Sequence, residues 1–278
     1  MPDKISHDVR AVKGGEVRGA EREWDAEAYE ELADPMTRWG AAFLERLELR
    51  GDEVVIDAGC GTGRVTELLL RRLPEGRVLA VDASQTMVEA ARRRFAGEGR
   101  GRVVRQDLLR LEVEEPVDVV FSTATFHWIP DHAALFRRLA VALRPGGRLA
   151  AQCGGEGNVS RVREATLSTM REERFAPFFE GWEDNKLYAD AESTRRRLEE
   201  AGFERVRTWL HEEPTTFRSV EHLTRYLEAI ILRGHLLRLP EAERRPFARS
   251  VAGKIAAHDG PLLVDYVRLN MLAVRAGE

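Results

Sequence analysis

The chain is predicted to fold as an open α/β domain, with a sheet of parallel strands covered by helices on both faces. Short apolar runs of strand length recur between segments of helical composition, and this alternation implies βαβ units with right-handed crossovers. The runs are apolar at successive positions, as in strands buried on both faces.

Residues 1–22 are polar and without period, and read as a flexible arm. Residues 23–50 read as helical. Trp24, Tyr29, Leu32, Trp39, Phe43, Leu44 and Leu47 fall near helical spacing, with a break around Asp34-Pro35. VVIDAG (54–59) is the first strand, and the helix over 66–73 stops at Pro74. RVLAVDA (77–83) is the second strand, followed by a helix over 85–95 with Ser84 as its N-cap. Strands follow at 101–107 and 117–124, then a helix over 133–143 and a fifth strand at 148–155. Beyond residue 157 the rhythm changes: 158–201 reads mostly as helix and 202–217 as strand. Residues 219–258 read as helix interrupted at Pro240 and Pro246, and 261–276 as a final strand. The expected divisions are the arm (1–22), leading helices and core (23–157), a helical cap insertion (158–201), and the last strands (202–278) with a second helical insertion at 219–258.

The 278 residues are 43% hydrophobic, enough for one sizeable core with a modest cap. The net charge of -4 offers no basic footprint for nucleic acid. The runs Arg71-Arg72, Arg92-Arg93-Arg94 and Arg195-Arg196-Arg197 read as solvated helix faces beside glutamates. Cys60 and Cys153 read as reduced thiols of a cytoplasmic protein. The opening MPDKISHDVRAVKGGEV has no apolar core of a signal peptide, and no apolar run approaches membrane-spanning length. No metal site is read, and the oligomeric state is not legible.

The most informative segment is VVIDAGCGTGR (54–64), a strand running into Gly59, Gly61 and Gly63 before a helix. Glycines suit a sharp turn and close approach of a ligand to backbone, and the helix start adds unpaired N–H groups. The third glycine falls one residue early for the dinucleotide spacing G-x-G-x-x-G. Asp82 ends the next strand, nineteen residues after Gly63, where a carboxylate can accept bonds from ribose hydroxyls; it can equally cap a turn. Gln106-Asp107-Leu108 follows the third strand, where Asp107 could accept from an adenine amino group, or simply form a turn.

IDAGCGTG, VDASQTMVEAAR, RQDLL, VDVVFSTATFHWIPDH and LRPGGRL, in this order over about 54–153, resemble the signatures of class I S-adenosylmethionine (SAM)-dependent methyltransferases. WDAEAYEELADPMTRWG and FHWIPDH are most similar to the trans-aconitate methyltransferase-like group of small-molecule enzymes. The resemblance implies a Rossmann-like, doubly wound, seven-stranded, mainly parallel sheet with an antiparallel last strand. It implies SAM as cofactor and S-adenosylhomocysteine as product. Gly59 and Gly61 would lie against the amino-acid and ribose parts, Asp57 would support the loop and the methionine ammonium, and Asp82 would hold the ribose. Ala83, Met87, Asp107 and Leu108 would surround the adenine. Ser122 and Thr123 would approach the methionyl portion through backbone groups. Tyr29 and Arg38 would close over the cofactor, Arg38 towards the methionine carboxylate.

Methyl transfer from a sulfonium chiefly needs alignment, so an acid–base residue is optional. Phe126 and Trp128 are the expected acceptor-binding residues, and Trp128 could also face the sulfonium. His127 is the only histidine read as a candidate catalytic base, with a structural role as the plainer alternative. Phe175, Phe178, Phe179, Trp182 and Tyr188 could wall an apolar pocket or form ordinary cap core. Arg161, Arg163 and Arg233 could pair with an anionic acceptor, although surface placement is the default. The leading expectation is methyl transfer to a small molecule, with an oxygen of a carboxylate or hydroxyl favoured. A non-catalytic SAM-binding regulator or partner subunit, and an NAD-dependent oxidoreductase, are the competing classes.

Overall fold

The computed structural model describes residues 24–277. The arm expected over 1–22 lies outside them. Two short helices lead, α1 (Ala26–Leu32) and α2 (Asp34–Leu44), the second with Pro35 in its first turn, where a missing N–H costs nothing. There follow β1 (Val54–Ala58), α3 (Arg64–Arg71), β2 (Arg77–Asp82), α4 (Gln85–Arg94), β3 (Gly101–Arg105), β4 (Val117–Thr123), α5 (His132–Ala142) and β5 (Leu143–Gly154). Next are α6 (Ser160–Met170), α7 (Ala191–Glu200), β6 (Phe203–Glu212), β7 (Thr215–Thr216), α8 (Val220–Tyr226), α9 (Arg233–Leu236), α10 (Glu241–Ala256), β8 (Leu263–Val264) and β9 (Val267–Arg275).

Seven strands form one sheet in the order β3-β2-β1-β4-β5-β9-β6. The first five pair in parallel, and β9 lies antiparallel between β5 and β6. The sheet is thus Rossmann-like and mainly parallel, with its last strand reversed. Its two faces are read from alternate residues. Val55, Val78, Val119, Phe121 and Ala150 pack under α2, α3 and α4 against Phe43, Leu69 and Phe95. Ile56, Val81, Val120, Leu149 and Ala151 face the other way, onto Leu135, Phe136 and Leu139 of α5 and Leu198 of α7. Helices α6, α8 and α10 share a further core with Trp39 and Met36 of α2, built around Tyr226, Phe175 and Phe247.

Three local expectations change. Pro246 does not interrupt a helix; it lies inside α10. An interior proline costs ~3 kcal/mol of helix, and burial of Phe247, Ala248, Val251, Ala252 and Ile255 on the face beyond it offsets that cost. The final strand is two pieces, with β8 paired to β7 and β9 within the main sheet. Residues 180–190, read as part of a mostly helical stretch, form no regular element. Among the described residues no helix is long and apolar enough to cross a membrane.

Phe121, fully buried on β4, packs its ring 6.0 Å from that of Phe43 on α2. Phe121→Ala should cost about 3–5 kcal/mol, measured as a lowered denaturant midpoint with an unchanged slope.

Candidate active site

Because β1, β2, β3 and β4 run parallel, their carboxyl ends meet at one edge. The chain leaves β1 through Gly59 and Gly61, both at positive φ (83° and 54°). A Cβ at Gly59 would sit 2.1 Å from Thr125 Oγ1, so only glycine lets the turn close against β4. A Cβ at Gly61 would meet no protein atom within 4 Å, and its backbone borders open space. The N–H groups of Gly59 and Cys60 donate to Val81 O (2.8 and 3.0 Å), and the Gly61 N–H donates to Asp82 Oδ2 (2.9 Å). The Ser84 N–H donates to Asp82 Oδ1 (2.9 Å). Asp82 therefore ties the glycine loop to β2 at the border of the open space beside it.

A single cavity of about 790 Å³ spreads from this edge. At the glycine-loop end it is lined by Tyr29, Gly61, Asp82, Ala83, Met87 and Leu108, with Asp107 and Thr123 beside them. Asp107 is also the N-cap of the turn Leu108–Arg110, its Oδ1 accepting the Leu109 N–H at 3.0 Å. Asp57 borders a smaller adjoining recess with Gly59, Cys60, Thr62 and Arg64. It is buried and accepts from Thr66 Oγ1 (2.6 Å); burial pushes its pKa up to about 7. The residues fit SAM. A buried carboxylate that a ligand ammonium would ionise lies at one end of the loop, and a hydroxyl-accepting carboxylate lies at the other. Helix α1 is fastened above the loop: Thr62 Oγ1 donates to Glu30 Oε2 (2.5 Å), Arg64 donates to Glu30 O (2.8 Å), and Arg94 pairs with Glu30.

Arg38 and Phe126 do not reach the cavity, and Ser122, expected to act through its backbone, turns its side chain away from it. Arg38 is exposed, because α2 buries the stripe Met36, Trp39, Gly40 and Phe43 and turns position 38 away; Arg64 is the arginine at the recess. Ser122 is buried with its Oγ donating to Ala58 O (2.6 Å), which stitches β4 to the end of β1. Phe126 is fully buried against Phe136 (6.2 Å between rings), in the sheet core rather than at the acceptor. The tight turn Phe126–Trp128 drives Phe126 inward and leaves His127 and Trp128 on the cavity wall. Trp128 takes Lys186 Nζ over its ring at 5.0 Å and the edge of Trp24 at 5.2 Å.

His127 is buried, and its Nδ1 accepts the Gly154 N–H at 3.2 Å. Burial, then the positive neighbours Arg268 and Lys186, push its pKa well below the ordinary value, so the ring is neutral. A neutral imidazole that accepts at Nδ1 carries its proton on Nε2. This counts against the base expected of it, since the other ring nitrogen is a donor.

The far wall holds residues the sequence did not single out. Arg268 of β9 lines the cavity, is 3% exposed, and lies 4.9 Å over the ring of Trp39. Among the described residues its main electrostatic neighbours are Cys153, Tyr266, Tyr226 and Tyr188, none of them a carboxylate, and its Nε has no hydrogen-bond partner. A charge at the centre of the apolar VDYVRLNMLAV was the available signal. Asn158, Tyr266, Trp24 and Lys186 also line the wall; Lys186 pairs with Asp184 at 2.8 Å. Of the aromatic stretch, Trp182 and Tyr188 reach the cavity, whereas Phe175 and Phe179 are cap core. Arg233 reaches it with its guanidinium 5.4 Å over Trp24; Arg161 and Arg163 are exposed, the latter over Tyr188 at 5.7 Å.

Residues 55–147 match the family model described as a methyltransferase domain. The architecture and this domain define a class I SAM-dependent methyltransferase. A trans-aconitate 2-methyltransferase of Rhodopseudomonas palustris is 30% identical over 267 residues, covering 91% of this chain and 99% of its own length. One of Methylobacterium nodulans is 43% identical over 130 residues, 47% of this chain and 49% of its own. The chain belongs to the trans-aconitate methyltransferase-like group of this superfamily. Solved structures share the fold: phosphoethanolamine N-methyltransferase 2 of Haemonchus contortus (TM-score 0.60, 21% identity, 91% of this chain and 57% of that one), and the YcgJ protein of Bacillus subtilis (TM-score 0.60, 14% identity, 87% and 100%).

Two binding outcomes follow. Asp82→Ala should weaken S-adenosylhomocysteine by roughly tenfold or more, because charge-assisted hydrogen bonds contribute about 1.5–3 kcal/mol each; calorimetry reads this. A ligand ammonium beside Asp57 lowers that group's pKa from about 7. Binding should then release a proton below that pH and tighten as pH rises towards it, seen as buffer-dependent heats that Asp57→Asn abolishes.

Proposed function

We propose that this enzyme moves the methyl group of SAM to a carboxylate oxygen of a small organic acid. The observation that carries the reading is the continuity of the cavity. One chamber runs from the glycine loop and Asp82 past Thr123 to a concave end bordered by His127, Trp128, Tyr188 and the buried Arg268. Such an end suits a small acceptor better than a macromolecule, and a regulator without turnover has no need of it. That the relatives are trans-aconitate 2-methyltransferases supports an acid as the acceptor.

In this reading Asp82 holds the ribose, Asp57 faces the ammonium, and the backbone of Gly59 and Gly61 lies along the ligand. Ala83, Met87, Asp107 and Leu108 enclose the adenine. Tyr29 covers the cofactor, while Ser122 and Thr123 shape the methionyl passage through main chain. Bound SAM supplies a methyl on cationic sulfur: an acceptor oxygen lone pair forms the new C–O bond, and the S–CH₃ pair stays on sulfur as a neutral thioether. An ionised carboxylate releases no proton in this exchange, so the chain needs no base. Its task is alignment and exclusion of water, and alignment alone can contribute up to about 7–11 kcal/mol.

Incubation of the protein with methyl-labelled SAM and trans-aconitate, alongside a panel of other carboxylic acids, tests the reading. A labelled, base-hydrolysable ester is expected. Label found only on nitrogen, carbon or a non-hydrolysable ether, or no transfer from a protein that binds SAM, would reject it.

A further inference from the structure

We infer that Arg268 and the Nε2–H of His127 form the subsite that receives an ionised carboxylate of the acceptor, with Gly154 as the backbone position that holds the two together. The inference rests on the carboxylate reading and names the residues that would enforce it.

Both side chains are set by the same residue. Gly154 pairs across the antiparallel ladder with Arg268, and its N–H donates to His127 Nδ1 at 3.2 Å. A Cβ on Gly154 would lie 2.6 Å from Asn158 Nδ2 and 2.8 Å from Tyr188 Cε1, so glycine is required for these four side chains to converge. Tyr188 stacks on His127 with ring centroids 5.7 Å apart at 24°, and Leu187 N–H donates to His127 O at 2.9 Å. The imidazole is thus oriented by the Gly154 N–H and the Tyr188 ring while Leu187 holds its main chain, with Nδ1 used and Nε2 as the remaining donor.

Arg268 supplies the charge. A guanidinium carries five N–H donors and stays protonated in proteins. Burying it without a carboxylate is costly, and the stacking on Trp39 satisfies none of those donors. Its polar neighbours are the uncharged Tyr226, Tyr266, Tyr188 and Cys153. The acids on the same wall, Glu183 and Asp184, are exposed, and Asp184 is matched by Lys186. A planar, buried, bidentate donor beside a neutral N–H donor is the arrangement that recognises a carboxylate. An uncharged ester or amide leaves the guanidinium unmatched and is rejected.

The test uses trans-aconitate as the probe on protein saturated with S-adenosylhomocysteine, by calorimetry, together with turnover from labelled SAM. Arg268→Met should weaken trans-aconitate binding by tenfold or more and leave S-adenosylhomocysteine binding unchanged. Arg268→Lys, which keeps the charge but loses the fork, should recover part of it and guards against misfolding of the first variant. His127→Ala should raise KM more than it lowers kcat, and His127→Gln, with an amide donor near the Nε2 position, should restore most of the loss. The trimethyl ester should not compete. Equal binding of trans-aconitate to wild type and Arg268→Met, or none to wild type, would overturn the subsite. Arg268-dependent binding without methyl transfer would leave the subsite standing and reject the proposed reaction. Methyl transfer indifferent to both residues would do the reverse.

Discussion

The hydrogen bond from the Gly61 N–H to the Asp82 carboxylate joins the ends of two neighbouring parallel strands, and the ligand edge depends on it. It positions the glycine loop relative to β2, and the loop in turn seats against Thr125 at the end of β4. Helix α1 rests on the same loop through Glu30, Arg64 and Arg94. The floor, one wall and part of the roof of the cavity therefore meet at this loop, which the Gly59 and Cys60 bonds to Val81 O also hold. Every element in this chain of contacts is a strand end or a βα turn, which is where a parallel sheet collects polar groups.

The proposed acceptor end is organised by different physics. It is mainly apolar and aromatic, so the cations within it act through a weakly screening medium. Lys186 is matched by Asp184 and seated on Trp128, which leaves it a structural post. Arg268 has no carboxylate among its main neighbours, and its Nε is unpartnered among the described residues. Burial first, and then these cations, keep His127 neutral, and its backbone partner decides which nitrogen carries the proton. In the proposed reading, electrostatics and hydrogen bonding together make a site that attracts an anion and removes no proton from it.

Much of the cofactor edge was legible because it is built from residues close in sequence. A strand followed by glycines announces Gly59 and Gly61, and Asp82 and Asp107 each end the next apolar run. The errors have definite causes. Arg38 could have been placed by helical spacing, since Met36, Trp39, Gly40 and Phe43 mark the buried stripe of α2. Phe126 and His127 are neighbours that a tight turn sends in opposite directions, and composition does not report which enters the core. Arg268 escaped because its importance comes from pairing with Gly154, 114 positions earlier, through a strand inserted out of chain order between β5 and β6. The cavity-lining stretch over 180–190 has helical-looking flanks and no regular structure of its own.

The most direct measurement is a crystal structure of the protein with S-adenosylhomocysteine bound. The account predicts the ribose hydroxyls on Asp82, the amino group towards Asp57, and the sulfur opening onto the chamber bounded by His127 and Arg268. A ligand bound with its ribose away from Asp82, or with its sulfur walled off from that chamber, would contradict it.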